Sequence, residues 1–372
     1  MRVVLAPDKF KGALTAAQGA AAVGAGLRQS RPDVTLTLLP VADGGDGTVD
    51  AALSAGYTRV RVEAVGPTGR PVATSYAVRG GQAVIELANV VGLDLLPAGG
   101  PDPMGASTYG LGLVIRHALD RGAQRIALGV GGSASTDGGL GMLQALGASV
   151  LDHTGGELGS GGGALSSVAA MRLDGLHRRL GEVEILVACD VDNPLLGPRG
   201  AARVFGPQKG ADPEQVGRLE YGLDRWAGVV RDATGHDCAA VSGAGAAGGT
   251  AFAAMALMGA QVRSGIGLVL ELVGFAAALP GADLVVTGEG SLDEQSLAGK
   301  APVGVARAAT EAGVPVVAVA GRCLLSPTRL RDAGIRAAYP LSDLEPDVAR
   351  SMAGAPGLLT RLGLRIAGEW LR

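Results

Sequence analysis

Aromatic side chains are scarce: they make up 3% of the 372 residues, against 47% hydrophobic residues in all. A core built from this chain must be filled by alanine, valine and leucine, as packed α/β layers are. Cysteine is nearly absent too. Cys189, Cys238 and Cys323 lie far apart and form no C-x-x-C pair, which excludes a disulfide framework and a zinc ribbon and fits a reducing, cytoplasmic setting. Four scattered histidines give a Ser-His-Asp or zinc mechanism nothing to stand on. No G-x-x-x-x-G-K-S/T, G-x-S-x-G or H-E-x-x-H occurs, which removes the P-loop, the hydrolase elbow and the zincin helix. The net charge of −3 comes without a basic stripe interleaved with aromatics, so nucleic acid is not an expected partner. Nor is a membrane. The uncharged stretch from Cys238 to Val262 is mostly Gly, Ala and Ser in its first half, too weakly apolar to insert. Charges at Asp8, Lys9 and Lys11 come too early for a signal peptide.

Lysine is rare as well. Lys9, Lys11, Lys209 and Lys300 are the only lysines among 32 basic residues, and all sit in short Gly- or Pro-containing stretches, DKFKG, GPQKGA and LAGKAP. A compact ammonium on a flexible stem suits phosphate contact in a way that arginine's planar fork does not reproduce. Asparagine occurs only at Asn89 and Asn193.

What the chain does contain centres on Arg125 to Ala148. The apolar run Ile126, Ala127, Leu128, Val130 reads as a buried strand. It empties into a turn carrying Gly129, Gly131, Gly132, Ser133, Ser135, Thr136, Asp137, Gly138 and Gly139, before a helix pattern at Leu140, Leu143 and Leu146. Glycines let backbone N–H groups approach a ligand closely, and a following helix N-terminus adds unpaired donors. The predicted ligand is an anion at the carboxyl edge of a parallel sheet. Gly129, Gly131 and Ala134 also fit a G-x-G-x-x-A dinucleotide fingerprint, with Asp152 as the ribose-binding acid.

In chain order, Arg2–Ala6 predicts a first strand ending at Pro7-Asp8-Lys9-Phe10-Lys11-Gly12, and a helix capped by Thr15 runs to about Leu27. A second strand over 33–39 ends in a turn with Asp43, Gly44, Gly45 and Asp46, followed by a helix to Ser54. From Thr58 to Leu87 the alternation has period two, which predicts an antiparallel meander opening a second domain, with its exit at Gly99 to Pro103. Helices are expected over 107–120 and 140–146. Val183–Ala188 predicts a strand ending in Asp190, Asp192 and Asn193, hard oxygen donors suited to Mg²⁺ or to a substrate hydroxyl. A helix follows over 213–234, with Leu219, Leu223, Trp226 and Val230 inward. Gly243–Gly249 opens a helix to about Met258, a turn that either meets a ligand or merely packs closely. Ala282–Thr287 is a strand that ends in Glu289 and Asp293. Lys300 then precedes a helix with Pro302 in its first turn, an anion-facing arrangement. Val314–Ala320 closes the sheet, and the remainder reads as a peripheral unit and a terminal helix.

APDKFKG, PVADGGDGT, GVGGSASTDGG, ACDVDNPLLGPRGA, FGPQKGA, GAGAAGG and TGEGSLDEQSLAGKAP occur in this order along nearly the whole chain. With these seven motifs the sequence closely resembles the bacterial glycerate kinase family of type I. Departures are mild: Asp46 stands where glutamate is common, Thr136 where asparagine is, and Ala13 where serine is. The resemblance implies an α/β protein. A Rossmann-like parallel-sheet domain (residues 1–58, 105–190 and 281–372) would carry an inserted α/β domain with the antiparallel meander (59–104 and 191–280), the active site lying in the cleft between them. It implies ATP-dependent, Mg²⁺-requiring phosphorylation of D-glycerate, with the 2-phosphate favoured over the 3-phosphate.

Phosphoryl transfer needs phosphate positioning, a metal and charge stabilisation. The expected catalytic residues are Asp190 as base, Asn193 orienting substrate, and Lys9 and Lys300. Lys11, Asp43, Gly44, Gly45, Gly131, Gly132, Ser133, Lys209 and Glu289 are expected to bind substrate or phosphate, and Asp137 and Asp293 the metal. Two other readings of the same residues stay open. One is a nicotinamide-dependent hydroxy-acid dehydrogenase built on the fingerprint and Asp152. The other is a non-enzymatic anion or nucleotide sensor, needing neither Asp190 nor Asp293.

Overall fold

The computed structural model describes residues 1–97, 100–297 and 299–371. Gly99, in the expected domain exit, and Ala298, in the LAGKAP motif, lie outside the described residues. The strands in chain order are β1 (Arg2–Pro7), β2 (Thr35–Leu38), β3 (Thr58–Val65), β4 (Pro71–Arg79), β5 (Gln82–Glu86), β6 (Arg125–Gly129), β7 (Ser149–Asp152), β8 (Val168–Arg172), β9 (Glu184–Ala188), β10 (Gln261–Arg263), β11 (Leu284–Leu292), β12 (Val316–Cys323) and β13 (Ala337–Pro340). They divide between two compact units, residues 1–43, 50–56 and 266–372 in the first and 44–49 and 57–265 in the second.

The first unit is a five-stranded sheet of order β13-β12-β11-β1-β2 with every pair parallel. Val3, Val4, Leu5 and Ala6 of β1 are all buried, the continuous apolar run expected of a strand covered on both faces. One face packs on the helices Ala16–Ser30 and Ala355–Trp370 through Val23, Leu27, Leu359 and Ile366. These helices meet backbone to backbone: a Cβ on Gly26 would lie 2.0 Å from the Thr360 carbonyl oxygen, and one on Gly363 2.3 Å from that of Val23. Thr15 caps the first of them as expected, in a reciprocal capping box with Gln18. The other face packs on the helix Ala301–Glu311 through Val305 and Ala309. β13 extends the sheet beyond β12, so the C-terminal residues are part of the layer and not the peripheral unit expected.

The second unit holds a six-stranded sheet of order β10-β9-β6-β5-β4-β3 and a separate β7-β8 pair. β10, β9, β6 and β5 run parallel, while β5-β4-β3 form the antiparallel meander read from the period-two alternation. The helix Pro213–Thr234 buries Leu219, Leu223, Trp226 and Val230, each at 0% exposure, and its N-terminus carries an Asp212–Gln215 capping box.

The expected grouping of residues 105–190 with the N-terminal strands differs from this arrangement. β6 takes β5 and β9 as its neighbours, so the central strand belongs with the meander. Residues 44–49 join the second unit for a similar reason: the buried Glu86 carboxylate accepts from the Gly47 amide at 3.2 Å and the Val49 amide at 3.0 Å. No helix among the described residues is long and apolar enough to cross a membrane.

Candidate active site

In the second unit, β6 ends at Gly129 and residues 130–139 lead to the short helix Leu140–Ala145. The turn leaves no room for side chains at its start. A Cβ on Gly129 would lie 2.7 Å from the Gly44 carbonyl oxygen, and one on Gly131 2.7 Å from Gly45 Cα. Gly44 and Gly45 are thus contact surfaces for the turn. The Ala134 amide donates to the Val91 carbonyl and the Leu93 amide to the Gly132 carbonyl, each at 3.0 Å, which ties the turn to the segment after β5.

Asp137 is fully buried. Its Oδ2 accepts from the Thr108 amide and hydroxyl, both at 2.8 Å, and from the Gly141 amide at 3.2 Å, while Oδ1 accepts from the Gly139 amide at 3.2 Å. Burial pushes its pKa up and these donors pull it down. With the Met142 amide given to Thr108 Oγ1 at 2.9 Å, the helix 140–145 has its N-terminal donors engaged, so the expected anion site there does not form. Asp137 likewise does not fit a metal ligand, because four donors already occupy its oxygens. The amides of Gly131, Gly132 and Ser133, by contrast, have no protein acceptor among the described residues. They are the open donors of this turn.

Lys209 lies behind it, 2% exposed. Its ammonium donates to Ser133 Oγ at 2.8 Å and to the Ser135 carbonyl oxygen. Burial lowers its pKa to about 7, against the opposing pull of the Asp137 charge. The Gly243–Gly249 turn packs on the same loop: a Cβ on Gly248 would fall 2.2 Å from the Ser135 carbonyl oxygen, and the Gly138 amide donates to the Gly248 carbonyl at 2.9 Å. Of the two roles open to that turn, close packing is the one seen. It forces Ala247 to φ +52°, the only non-glycine at positive φ among the described residues.

Asp190 stands exposed after β9, its Oδ1 accepting from the Gly265 amide at 2.8 Å and from Ser264 Oγ at 3.1 Å. Asn193 closes its own loop, Nδ2 donating to the Arg199 carbonyl at 2.7 Å. Asp152, the acid of the dinucleotide fingerprint, sits in the small β7-β8 pair. Its Oδ1 accepts from the Thr154 amide at 2.8 Å, from Thr154 Oγ1 at 2.6 Å and from the Gly156 amide at 3.1 Å. It is engaged in its own turn, which leaves the fingerprint without its ribose ligand.

In the first unit the carboxyl ends of β1 and β11 gather a second set of charges. The Asp8 amide donates to the Gly288 carbonyl at 2.7 Å, fixing Asp8 beside the strand that carries Glu289. Asp8 is 8% exposed, and burial together with the negative charges of Asp43 and Glu289 pushes its carboxyl up to about 7. The Lys9 amide donates to Asp8 Oδ1 at 2.6 Å. Glu289, also 8% exposed, accepts from Ser296 Oγ. Burial raises its pKa, Ser296 and the Lys300 charge oppose the rise, and Asp293 and Asp43 add to it. Lys300 is the N-cap residue of the helix Ala301–Glu311, with a proline in the first turn. Asp293 is half-buried, accepting from Ser291 Oγ at 3.1 Å and from the Gln295 amide at 3.0 Å. Lys11 is exposed.

Asp43, Lys9 and Glu289 therefore act on Asp8, and Lys300, Asp293 and Asp43 on Glu289, while Lys209 is coupled to Asp137 and bonded to Ser133 in the turn against which Gly44 and Gly45 pack. Asp8 is the residue missed in the sequence. Its signal was available, a carboxylate directly at the end of a buried strand and next to a rare lysine. Among the described residues no three His, Cys, Asp or Glu side chains form a metal cage. Mg²⁺ at a phosphate is commonly held by one or two carboxylates, with water and phosphate oxygens completing its shell. Asp293 fits that donor set and Asp137 does not.

Open amides on a glycine turn suit an anion such as phosphate, and a buried carboxyl with a raised pKa suits proton exchange; both are features of the α/β phosphotransferase class. Comparison with known proteins narrows this class. The model described as the glycerate kinase family matches residues 3–371. The chain belongs to the glycerate kinase family, and it is a kinase. It is 43% identical over 344 residues to the glycerate kinase of Bacillus subtilis (strain 168), covering 92% of this chain and 90% of that one. To the glycerate 2-kinase of Escherichia coli (strain K12) it is 44% identical over 324 residues, 86% of this chain and 85% of that one. Among solved structures, a Salmonella typhimurium LT2 protein described as a candidate glycerate kinase 2 superposes with a TM-score of 0.88 at 40% identity, over 99% of this chain and 98% of that one.

Proposed function

We propose that the chain transfers the γ-phosphoryl group of MgATP to the 2-hydroxyl of D-glycerate, with Asp8 as the proton acceptor. The hydroxyl oxygen forms the new P–O bond as the bond to the β–γ bridging oxygen breaks. The hydroxyl proton passes to Asp8, and ADP and 2-phosphoglycerate leave. The choice of the 2-hydroxyl is supported by the likeness to the Escherichia coli protein named glycerate 2-kinase. The observation that carries the mechanism is the buried Asp8 carboxyl, held near 7 by its surroundings, close to the working pH that general-base catalysis favours. Asp190, the base expected from the sequence, already accepts two hydrogen bonds on Oδ1, and its role in this reading is to order the Ser264–Gly265 segment. Asn193 orders its loop in the same way.

The amides of Gly131, Gly132 and Ser133 receive a phosphate group of the nucleotide. Lys300, at its helix N-terminus, receives the glycerate carboxylate, while Lys9 and Lys11 contribute positive charge. When Mg²⁺ is bound it neutralises charge on the phosphates, and Asp293 is the carboxylate that would hold it. The test is to incubate the protein with D-glycerate, Mg²⁺ and ATP, follow ADP, and read the phosphorylated position by phosphorus NMR. Glycerate-dependent ADP and a 2-phosphate signal are expected. Asp8→Asn should abolish turnover while Asp190→Asn retains a measurable share, and the reverse order would return the base to Asp190.

A further inference from the structure

Lys209 is almost wholly buried and its ammonium is turned to Ser133 and Ser135, which does not suit the direct phosphate contact that its rarity suggested. What it does touch is the oxygen of the residue that ends the run of open amides. Two of its three N–H groups go to Ser133 Oγ and the Ser135 carbonyl oxygen. A hydroxyl oxygen that accepts from an ammonium keeps its own proton for another partner. Ser133 is 5% exposed, and no protein acceptor for that proton exists among the described residues.

We infer that Lys209 is a positioning residue for the nucleotide phosphate: by donating to Ser133 Oγ it aims the Ser133 O–H, with the amides of Gly131, Gly132 and Ser133, at one anion. The inference rests on the nucleotide reading of this turn given above. A second observation supports it. Ser135 Oγ and Thr136 Oγ1 are fully buried in the same loop and have no hydrogen-bond partner among the described residues, so internal hydrogen bonding alone does not account for the polar groups here. Burying an ammonium for packing would gain little over a methionine of similar length. Directing the Ser133 hydroxyl at an anion requires an N–H donor to its oxygen, which lysine has and methionine lacks.

The experiment uses the full chain, with ADP as the probe and calorimetry as the readout, alongside steady-state kinetics and thermal melts. Lys209→Met and Ser133→Ala should each weaken ADP binding by roughly tenfold, the loss expected for one charge-assisted hydrogen bond. The double variant should be little weaker than either, since both remove the same donor. KM for ATP should rise with KM for glycerate unchanged, and Ser133→Thr, which keeps a hydroxyl, should restore part of the affinity. A folded Lys209→Met with wild-type ADP affinity overturns the inference, as does full additivity in the double variant. Should Lys209→Met not fold, Ser133→Ala decides alone: unchanged ADP affinity there overturns the inference, and a loss recovered by threonine supports it. Failure of the kinase reading looks different, because the wild type would then form no glycerate-dependent ADP whatever its variants bind.

Discussion

Replacing Asp8 by asparagine should make the protein more stable and less active, and the stability gain should depend on pH. Folding moves the Asp8 carboxyl from 3.8 to about 7. Between those values the native state binds more protons than the unfolded state, so stability falls as pH rises through this window and levels off above it. At about 1.4 kcal/mol per unit of pH, the full displacement corresponds to roughly 4 kcal/mol as an upper figure. Asparagine stays neutral and can still accept from the Lys9 amide, which lies 2.6 Å from Oδ1. Melts without Mg²⁺ at about pH 8 should therefore show a gain of up to roughly 8–16 °C, at roughly 2–4 °C per kcal/mol for a unit of this size. At about pH 4 the two proteins should melt together. Turnover should fall by at least about a hundredfold, the usual contribution of a general base. For the wild type, kcat/KM should rise with pH and reach a plateau above about 7. Equal melting temperatures at alkaline pH, together with retained turnover, would refute the reasoning.

Three further outcomes are expected. Asp137→Ala removes an acceptor for four buried donors; the loss should be at least about 3 kcal/mol in denaturant unfolding, at roughly 1–3 kcal/mol per unsatisfied group. Gly131→Ala would push a Cβ to 2.7 Å from Gly45 Cα, so the open amides should shift and calorimetric ADP affinity should drop by about tenfold or more. Ala247→Gly relieves a φ of +52° and should raise stability by about 1 kcal/mol, visible as a higher melting temperature with kinetic constants unchanged.

Local periodicity carried most of the secondary structure. The meander over 58–87, the helix over 213–234 with its four inward residues, and the Thr15 cap all follow from side-chain spacing and capping chemistry that act within a few residues. Strand neighbours do not. Whether β6 pairs with β1 or with β5 depends on partners far apart in sequence, and nothing in the residues 125–130 themselves distinguishes the two. The candidate site divided in the same way. Glu289 and Lys300 were legible as charges at strand and helix ends, and the glycines as places of close approach. Asp137 looked like a ligand because a carboxylate in a glycine turn resembles one whether it faces water or, as here, four backbone and hydroxyl donors. Asp8 and Lys209 drew their character from burial, which only the fold reveals.

The first unit is assembled from both ends of the sequence, whereas residues 57–265 of the second are continuous. During synthesis the second can therefore condense as soon as Gly265 clears the ribosome, while β1 waits for β11 to emerge before it gains its parallel partner on that side. The helix Ala16–Ser30 waits longer still, until the helix Ala355–Trp370 arrives to seat Gly363 against it. Removing the helix Ala355–Trp370 should therefore leave Ala16–Ser30 without its cover, a failure in one segment caused by a loss more than 300 residues away in sequence.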